Sequence, residues 1–434
     1  MSFARALYSA ITWGAQPLLR RKLRRRARAE PGYAVAVHER FGRYAQPLDS
    51  LVGHSGMDAL GRFVWVHAVS LGETRAAAIL LRELRAQVPG MRLLLTHGTA
   101  TGRAEGEKLL QPGDVQVWLP WDTPGAVARF LRQFRPAIGV LMETEVWPNL
   151  IAACQRRGVP LVLANARLNA KSEAGALKIG AISRPTYGAL AAVWAQSEED
   201  ARRLRNVGAQ VSAVLGNLKF DVQPDEHLLS LAASWKQRLS KPVVLFASSR
   251  EGEEVQLLEQ LKSQPEAMQA VQWLIVPRHP QRFESVAQLI ADAGFAVSRR
   301  SQWGAQPPAL DNAIWLGDSL GEMPLYYAMS HLALMGGSFE PLGGQNLIES
   351  LACGTPVILG PHTFNFSQAS ELAVQAGAAF RCPDMACAVQ QAMTVIEDLP
   401  QLIKAEERAR DFMGQHRGAA AATAQAIVKL MQDQ

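Results

Sequence analysis

An apolar run of strand length, a turn rich in glycine or small polar residues, then a helical segment: this unit recurs along almost the whole 434-residue chain. Strand runs that are apolar throughout, each followed by a helix rather than a hairpin turn, favour parallel sheets covered by helices on both faces. The pattern predicts strands over Phe63–Ala68, Met91–Thr96, Val115–Leu119, Ala137–Met142, Pro160–Ala164, Ala192–Ala195 and Val211–Leu215. Helices fall between them, at Gly72–Gln87, Gly102–Gln111, Thr123–Phe134, Trp147–Arg157 and Glu198–Val207. After the polar stretch Val222–His227 a second series follows, with strands at Pro242–Ala247, Val271–Val276, Phe295–Ser298, Ala313–Leu316, His331–Met335 and Val357–Leu359. The length exceeds one ordinary core. The expected fold is therefore α/β: two doubly wound Rossmann-like domains facing each other across a cleft. The expected division is a basic membrane-anchoring segment over 1–30, an N-terminal domain over 31–222 and a C-terminal domain over 223–434. The last helical stretch, Leu399–Gln434, is expected to pack back across the joint.

Open α/β sheets bind ligands at the carboxyl ends of their strands, and every candidate residue falls at such an end. Ser70-Leu71-Gly72-Glu73 follows the first strand; Glu73 reads either as a general base or as a helix N-terminal carboxylate placed for the macrodipole. Glu143-Thr144-Glu145-Val146-Trp147-Pro148 follows the fourth strand, with Glu143 the better-aimed carboxylate and one of the two glutamates structural. Arg167, at the end of the next strand, either meets an anion or pairs with Glu143 or Glu145. Lys219, in Gly216–Asp221, is either a linker charge or a cation that neutralises a leaving phosphate or a substrate carboxylate.

In the second half, Ala247–Glu254 is a strand-to-helix turn resembling half of a phosphate nest, without Walker or GxGxxG spacing. Pro277-Arg278-His279-Pro280 aims a forked guanidinium outward, and backbone groups of Gly321, Glu322 and Met323 sit where a base or ribose could be read. Gly336–Phe366 reads as strand, tight turn, helix, strand. Two glycine pairs let the backbone approach a ligand, and Asn346 and Glu349, three apart, lie on one face of the first helical turn.

Composition narrows the function classes. The formal net charge is +6, and the run Arg20–Arg28, RRKLRRRAR, accounts for all of it, so a folded nucleic-acid face is not indicated. Before it, Phe3–Leu19 is apolar but interrupted, marginal for a span. It reads as a short anchor, an interfacial helix or a solvated arm, with the basic run held on the cytoplasmic side. Four cysteines without CxxC or histidine spacing read as reduced structural thiols. No Asp-x-Asp metal motif is present.

Together, HAVSLGE, METEVWPNL, NARL, GNLKFD, PRHPQRF, GDSLGEM and GGQNLIE resemble, in order, the 3-deoxy-D-manno-octulosonate (Kdo) transferase family. That resemblance implies a B-type glycosyltransferase fold and transfer of Kdo from CMP-Kdo to a lipid A precursor (lipid IVA) in lipopolysaccharide synthesis. It implies Glu73 as the general base of an inverting attack and Glu143 and Lys219 as transition-state stabilisers. For the CMP it implies Pro277, Arg278, Gly321, Glu322, Met323, Asn346, Leu347, Ile348 and Glu349. It also implies the cytoplasmic face of an inner membrane, contact with its lipids through the N-terminal segment, and no metal or other cofactor. Two histidines usual in the family are replaced, by Arg250 and by Gln345. The competing expectations are a sugar-nucleotide epimerase of the same architecture, a transferase for a related octulosonate, and a nucleotide-binding scaffold without catalysis.

Overall fold

In the computed structural model, which describes residues 2–45, 62–304 and 313–433, the chain divides into two compact units. The first comprises Met1–Asp221 and Arg417–Gln434, the second Val222–His416. The second domain expected over 223–434 is thus shortened, because the final helix belongs to the first unit. The helical pattern over Leu399–Gln434 breaks at Gly418, whose φ of 106° suits glycine. The helix beyond it, Ala419–Gln432, buries Ala419, Ala420, Thr423, Ala424 and Ile427 among the side chains of the helix Leu71–Gln87 and the first sheet. Asp221 caps it, accepting from the N–H groups of Gly418 and Ala420 at 2.6 Å each.

The first unit is built on seven parallel strands: β1 Phe63–His67, β2 Arg92–His97, β3 Val115–Trp118, β4 Ile138–Met142, β5 Leu161–Ala166, β6 Ala192–Ala195 and β7 Val211–Val214. Their spatial order is β3-β2-β1-β4-β5-β6-β7. β1 and β4 are buried throughout, as expected of strands with helices on both faces. The chain leaves β1 in one direction and returns to β4 on its other side, so the order reverses between these two strands. Crevices form at such reversals. Six of the seven predicted strands move at one or both ends by a residue or two, and the helices Ala170–Lys178 and Gly180–Tyr187 were not predicted. The first of them buries no residue and so carries no apolar period to read.

The second unit repeats the plan with β8 Val243–Ser249, β9 Gln272–Pro277, β10 Val297–Arg299, β11 Ile314–Leu316, β12 Leu332–Met335, β13 Val357–Leu359 and β14 Ala379–Arg381. All pair in parallel, in the order β10-β11-β9-β8-β12-β13-β14, and the reversal lies between β8 and β12.

At the N-terminus two helices, Phe3–Gly14 and Gln16–Ala29, open the first unit ahead of its sheet. Twelve residues make about 18 Å of helix, against a hydrocarbon core of about 30 Å. Among the described residues no helix is long and apolar enough to cross a membrane. The first helix is fastened to the protein instead. Tyr8 donates its hydroxyl to Asp122 at 3.0 Å, and buried Ser9 donates to Asn149 at 2.8 Å. That docking turns Phe3, Leu7, Ile11, Trp13 and Leu18 outward, Phe3 being 85% exposed. On the following helix only Leu23 is buried, leaving Arg20, Arg21, Lys22, Arg24, Arg25, Arg26 and Arg28 exposed. The sequence His38–Ser55 reads as a polar passage between the basic run and β1; its residues 46–55 lie outside the described residues.

Candidate active site

Glu73 opens the helix after β1. Ser70 is the N-cap, accepting from the Glu73 N–H, and the Glu73 carboxylate reaches back to accept from the Val69 N–H at 2.8 Å and the Ser70 hydroxyl at 3.1 Å. This is a capping box shifted by one residue, the carboxylate meeting the N–H before the cap rather than that of the cap itself, so the structural reading of Glu73 holds. The chemical one is not displaced by it. Burial raises the carboxyl from its ordinary value to about 7, against the lowering effect of the Val69 bond and with help from the charges of Glu143 and Glu145. A carboxylate at that value accepts a proton near neutral pH.

Glu143, the residue after β4, has a left-handed backbone (φ 59°) and is 2% exposed. Such a backbone in a non-glycine residue is uncommon and is held only by its surroundings. The main chain is fixed by its own N–H to the Ala164 carbonyl at 3.0 Å and by the Arg167 N–H donating to its carbonyl at 3.3 Å. One carboxylate oxygen meets Lys219 Nζ at 3.1 Å and the other Arg167 Nε at 2.7 Å. Of the alternatives for Arg167, pairing with Glu143 is the one realised. Two cations on one buried carboxylate outweigh the charge of Glu143 at this strand end.

Glu145, the other glutamate of the pair, also acts on this site. Burial raises its carboxyl above the ordinary value, and its charge acts on Glu73. His67 and His97, at the ends of β1 and β2, stay neutral: burial lowers them to about 3 and about 4. His67 Nδ1 lies 2.9 Å from the Thr96 hydroxyl, and His97 Nδ1 lies 2.9 Å from the Ala68 carbonyl. They support the strand ends.

In the second unit the expected phosphate nest is already filled. Buried Glu253, in the helix after β8, accepts from the N–H groups of Arg250 (2.9 Å), Gly337 (2.8 Å), Phe339 (3.0 Å) and Glu340 (3.3 Å). The donors at the first glycine pair therefore hold the protein's own carboxylate. Gly336 is required by closeness, since a Cβ there would lie 2.2 Å from the Ser248 carbonyl oxygen. Glu254 is also internal, gripped by Arg282 at 2.6 and 3.0 Å and by the Ser249 hydroxyl at 2.7 Å.

The second glycine pair is tied into the loop, the Gly344 N–H donating to the Gly337 carbonyl at 2.7 Å and the Gly343 carbonyl accepting from the Asn365 N–H at 3.0 Å. Gly343 and Gly344 have φ of 90° and 75° and lead into Asn346, the N-cap of the short helix Leu347–Ala352. Asn346 accepts from the Ile348 N–H and donates to Glu349 at 3.0 Å, so these two side chains do share a face. Arg278, just after Pro277 at the end of β9, is anchored by its own N–H to the Ser249 carbonyl and donates Nε to Gln345 at 3.1 Å. That leaves its two terminal nitrogens directed elsewhere. Buried Tyr327 links this region to the helix Met323–Met329: burial first, then the charge of Glu349, raises its phenol, with Arg278 acting in the opposite sense.

Glu322 is placed differently from a ligand-facing carboxylate. Its side chain accepts from Arg300 at 2.7 Å and from the Ser319 hydroxyl, while neighbouring Asp318 holds Arg299 and Ser301. Gly321, with φ of 82°, and Met323 contribute backbone. Among the described residues no group of three or more His, Cys, Asp and Glu is gathered in a way that could hold a metal ion.

Residues 36–222 match the family model described as 3-Deoxy-D-manno-octulosonic-acid transferase (kdotransferase). The chain is 43% identical over 433 residues to the 3-deoxy-D-manno-octulosonic acid transferase of Bordetella pertussis, covering 98% of each. It is 32% identical over 398 residues to the enzyme of that name from Haemophilus influenzae, covering 90% of each. Among solved structures it is similar to Anabaena HepE in complex with UDP, at 15% identity and TM-score 0.55, covering 86% of this chain and 100% of that one. UDP-GlcNAc 2-epimerase from Neisseria meningitidis bound to UDP-GlcNAc is similar at 14% identity and TM-score 0.53, with coverage of 86% and 100%. At such identities the two structures show the fold alone, and that fold serves transferases and epimerases alike.

Proposed function

We propose, from the premise that this chain belongs to the 3-deoxy-D-manno-octulosonic acid (Kdo) transferase family, that it moves Kdo from CMP-Kdo to a lipid A precursor by one inverting displacement. The chain is a glycosyltransferase of two parallel-sheet α/β units. A sugar hydroxyl of the acceptor attacks the anomeric carbon of Kdo. The bond from that carbon to the phosphate oxygen breaks, CMP leaves with the electron pair, and the hydroxyl proton passes to Glu73. Configuration inverts because the nucleophile enters opposite the leaving group.

One observation carries this reading: a half-buried carboxylate raised to about 7 at the carboxyl end of β1, beside the strand that presents Glu143 and its two cations. Lys219, oriented by Glu143, stabilises negative charge that develops on the reacting group. In the second unit Arg278 takes the phosphate, backbone at Gly321 and Met323 takes the base, and Asn346 with Glu349 takes the ribose; Pro277, Leu347 and Ile348 shape these turns. The side chain of Glu322, committed to Arg300, acts by holding its loop. Basic side chains neutralise the leaving phosphate without a bound metal.

The exposed apolar stripe from Phe3 to Leu18, followed by exposed arginines, fits a helix lying on an anionic membrane surface, here the cytoplasmic face of the inner membrane. In this reading the acceptor is a lipid, which supports an enzyme working at that surface.

The test is direct. Purified enzyme given CMP-Kdo and lipid IVA is expected to release CMP and to yield a lipid heavier by Kdo in mass spectrometry. CMP-Kdo left intact, or rearranged without transfer, refutes the reading.

A further inference from the structure

Lys219 stands on a short 3-10 turn, Leu218–Asp221, yet its ammonium has to meet a carboxylate on another element. Besides the local bond that the Lys219 N–H donates to Asn217 Oδ1 at 3.0 Å, two anchors from further along the chain hold that turn. One is Asp221, which caps the C-terminal helix; the other is Asn165, near the end of β5. Asn165 Oδ1 accepts from the Leu218 N–H at 3.0 Å, the residue immediately before Lys219. Asn165 is itself over-determined: it is 2% exposed, its carbonyl accepts from Gln196 Nε2 at 2.9 Å, and its backbone is left-handed, with φ of 51°. Two residues on, Arg167 pairs with the same Glu143 that holds Lys219.

The choice of residue is informative. A left-handed backbone favours Gly, Asn or Asp, and the acceptor for Leu218 excludes Gly. Asp would supply the acceptor and avoid an unpartnered donor, whereas Asn165 Nδ2 is buried without a partner among the described residues. Such a group is unfavourable. Asp, however, would place a second carboxylate next to Glu143, since β4 and β5 pair in register up to Met142 and Ala164, and would compete for Lys219. Asparagine satisfies the turn and leaves Glu143 as the carboxylate that Lys219 meets.

We propose that Asn165 is a positioning residue for the transfer, latching through Oδ1 the turn that sets Lys219 against Glu143. The proposal rests on the role given to Lys219 under Proposed function, and two readouts keep the two apart. The first is the latch itself: in Asn165→Gly, which keeps the backbone region and removes the acceptor, acylation of Lys219 by an amine-reactive ester, followed by peptide mass spectrometry, is expected to rise severalfold over wild type. Unchanged labelling overturns the latch whatever the enzyme transfers. The second is its use. Asn165→Gly is expected to lower kcat roughly tenfold or more, the scale of one buried hydrogen bond lost, with KM for CMP-Kdo within about twofold, and to have no further effect in a Lys219→Ala background.

Losses that multiply in the double variant would show a merely structural role and overturn the proposal. If Asn165→Gly does not fold, Asn165→Asp serves in the same cycle. It is expected to melt like wild type, to lose kcat by diverting Lys219, and to be silent in the Lys219→Ala background; multiplying losses again overturn the latch. Raised labelling in a protein whose wild type transfers no Kdo leaves the latch standing and removes the transferase reading instead.

Discussion

Glu73 carries two duties that pull its carboxyl in opposite directions. The capping-box bonds from Val69 and Ser70 favour the ionised form, while burial and the charges of Glu143 and Glu145 oppose it, and the opposition wins. Replacing it with glutamine keeps an acceptor for the Val69 N–H and removes the base. Glu73→Gln is expected to fold and to lose about 10²- to 10⁴-fold in kcat, measured as CMP release. Glu143→Gln tests the neighbouring cluster: it frees Lys219 and Arg167, and because both cations reach water the stability loss should stay near 1–3 kcal/mol by denaturant titration, with a larger fall in kcat than in donor affinity. Sequence placed Glu73, Glu143 and Lys219 at strand ends from local pattern alone. It did not show that Glu253 fills the nest at Gly337, because the donors lie far along the chain and a first-turn glutamate looks the same whether it meets solvent or buried N–H groups.

At the scale of elements, the candidate site residues sit on loops after β1, β4 and β7 in the first unit and at or after the ends of β9, β11 and β12 in the second, and these loops differ in what is left open. After β12, the turn at Gly336 packs on β8 so closely that Gly336→Ala pushes a methyl group into the Ser248 carbonyl. This variant is expected to lose about 2 kcal/mol or more by thermal unfolding, whereas a change at exposed Gly321 is tolerated sterically but strains its positive φ. The N-terminal helix offers a separate test. Leu7→Glu with Ile11→Glu is expected to weaken co-sedimentation with anionic vesicles while leaving the Tyr8–Asp122 bond in place; unchanged sedimentation would remove the membrane role of the stripe. Strands with β-branched and leucine-rich runs were legible to within a residue or two. The helices at 170–187, the helix Glu226–Lys236 and the break at Gly418 were less so, since weak amphipathic patterns and a single glycine give little periodic signal.

For the whole molecule, each unit buries histidines in neutral form. Burial lowers His67 to about 3 and His97 to about 4 in the first unit, and His331 to about 4 in the second. An unfolded chain takes up these protons near pH 6.5, so between that value and about 4 the unfolded state binds more protons than the folded one. Stability contributed by these groups is therefore present above pH 6.5 and is lost as pH falls through that window, by up to about 1.4 kcal/mol per pH unit for each histidine. The unfolding midpoint in urea should fall steeply from pH 6.5 to 4.5, and replacing His331 by an uncharged residue of similar shape should flatten the decline. The general plan of two sheets with a reversal in each was readable from the order of strands and helices. The return to the first unit was expected of Leu399–Gln434 as a whole and is made by 417–434 alone, because it depends on the Asp221 cap and an alanine-rich face rather than on chain order.

The pH–rate profile of Kdo transfer tests the account most directly, measured as kcat/KM for CMP-Kdo with wild type and Glu73→Gln side by side. The account predicts that wild-type log kcat/KM rises with unit slope below pH about 7 and levels above it, as Glu73 loses its proton. Glu73→Gln is predicted to be slower at every pH and to lack that limb. A Glu73→Gln enzyme with wild-type turnover and an unchanged profile would contradict it.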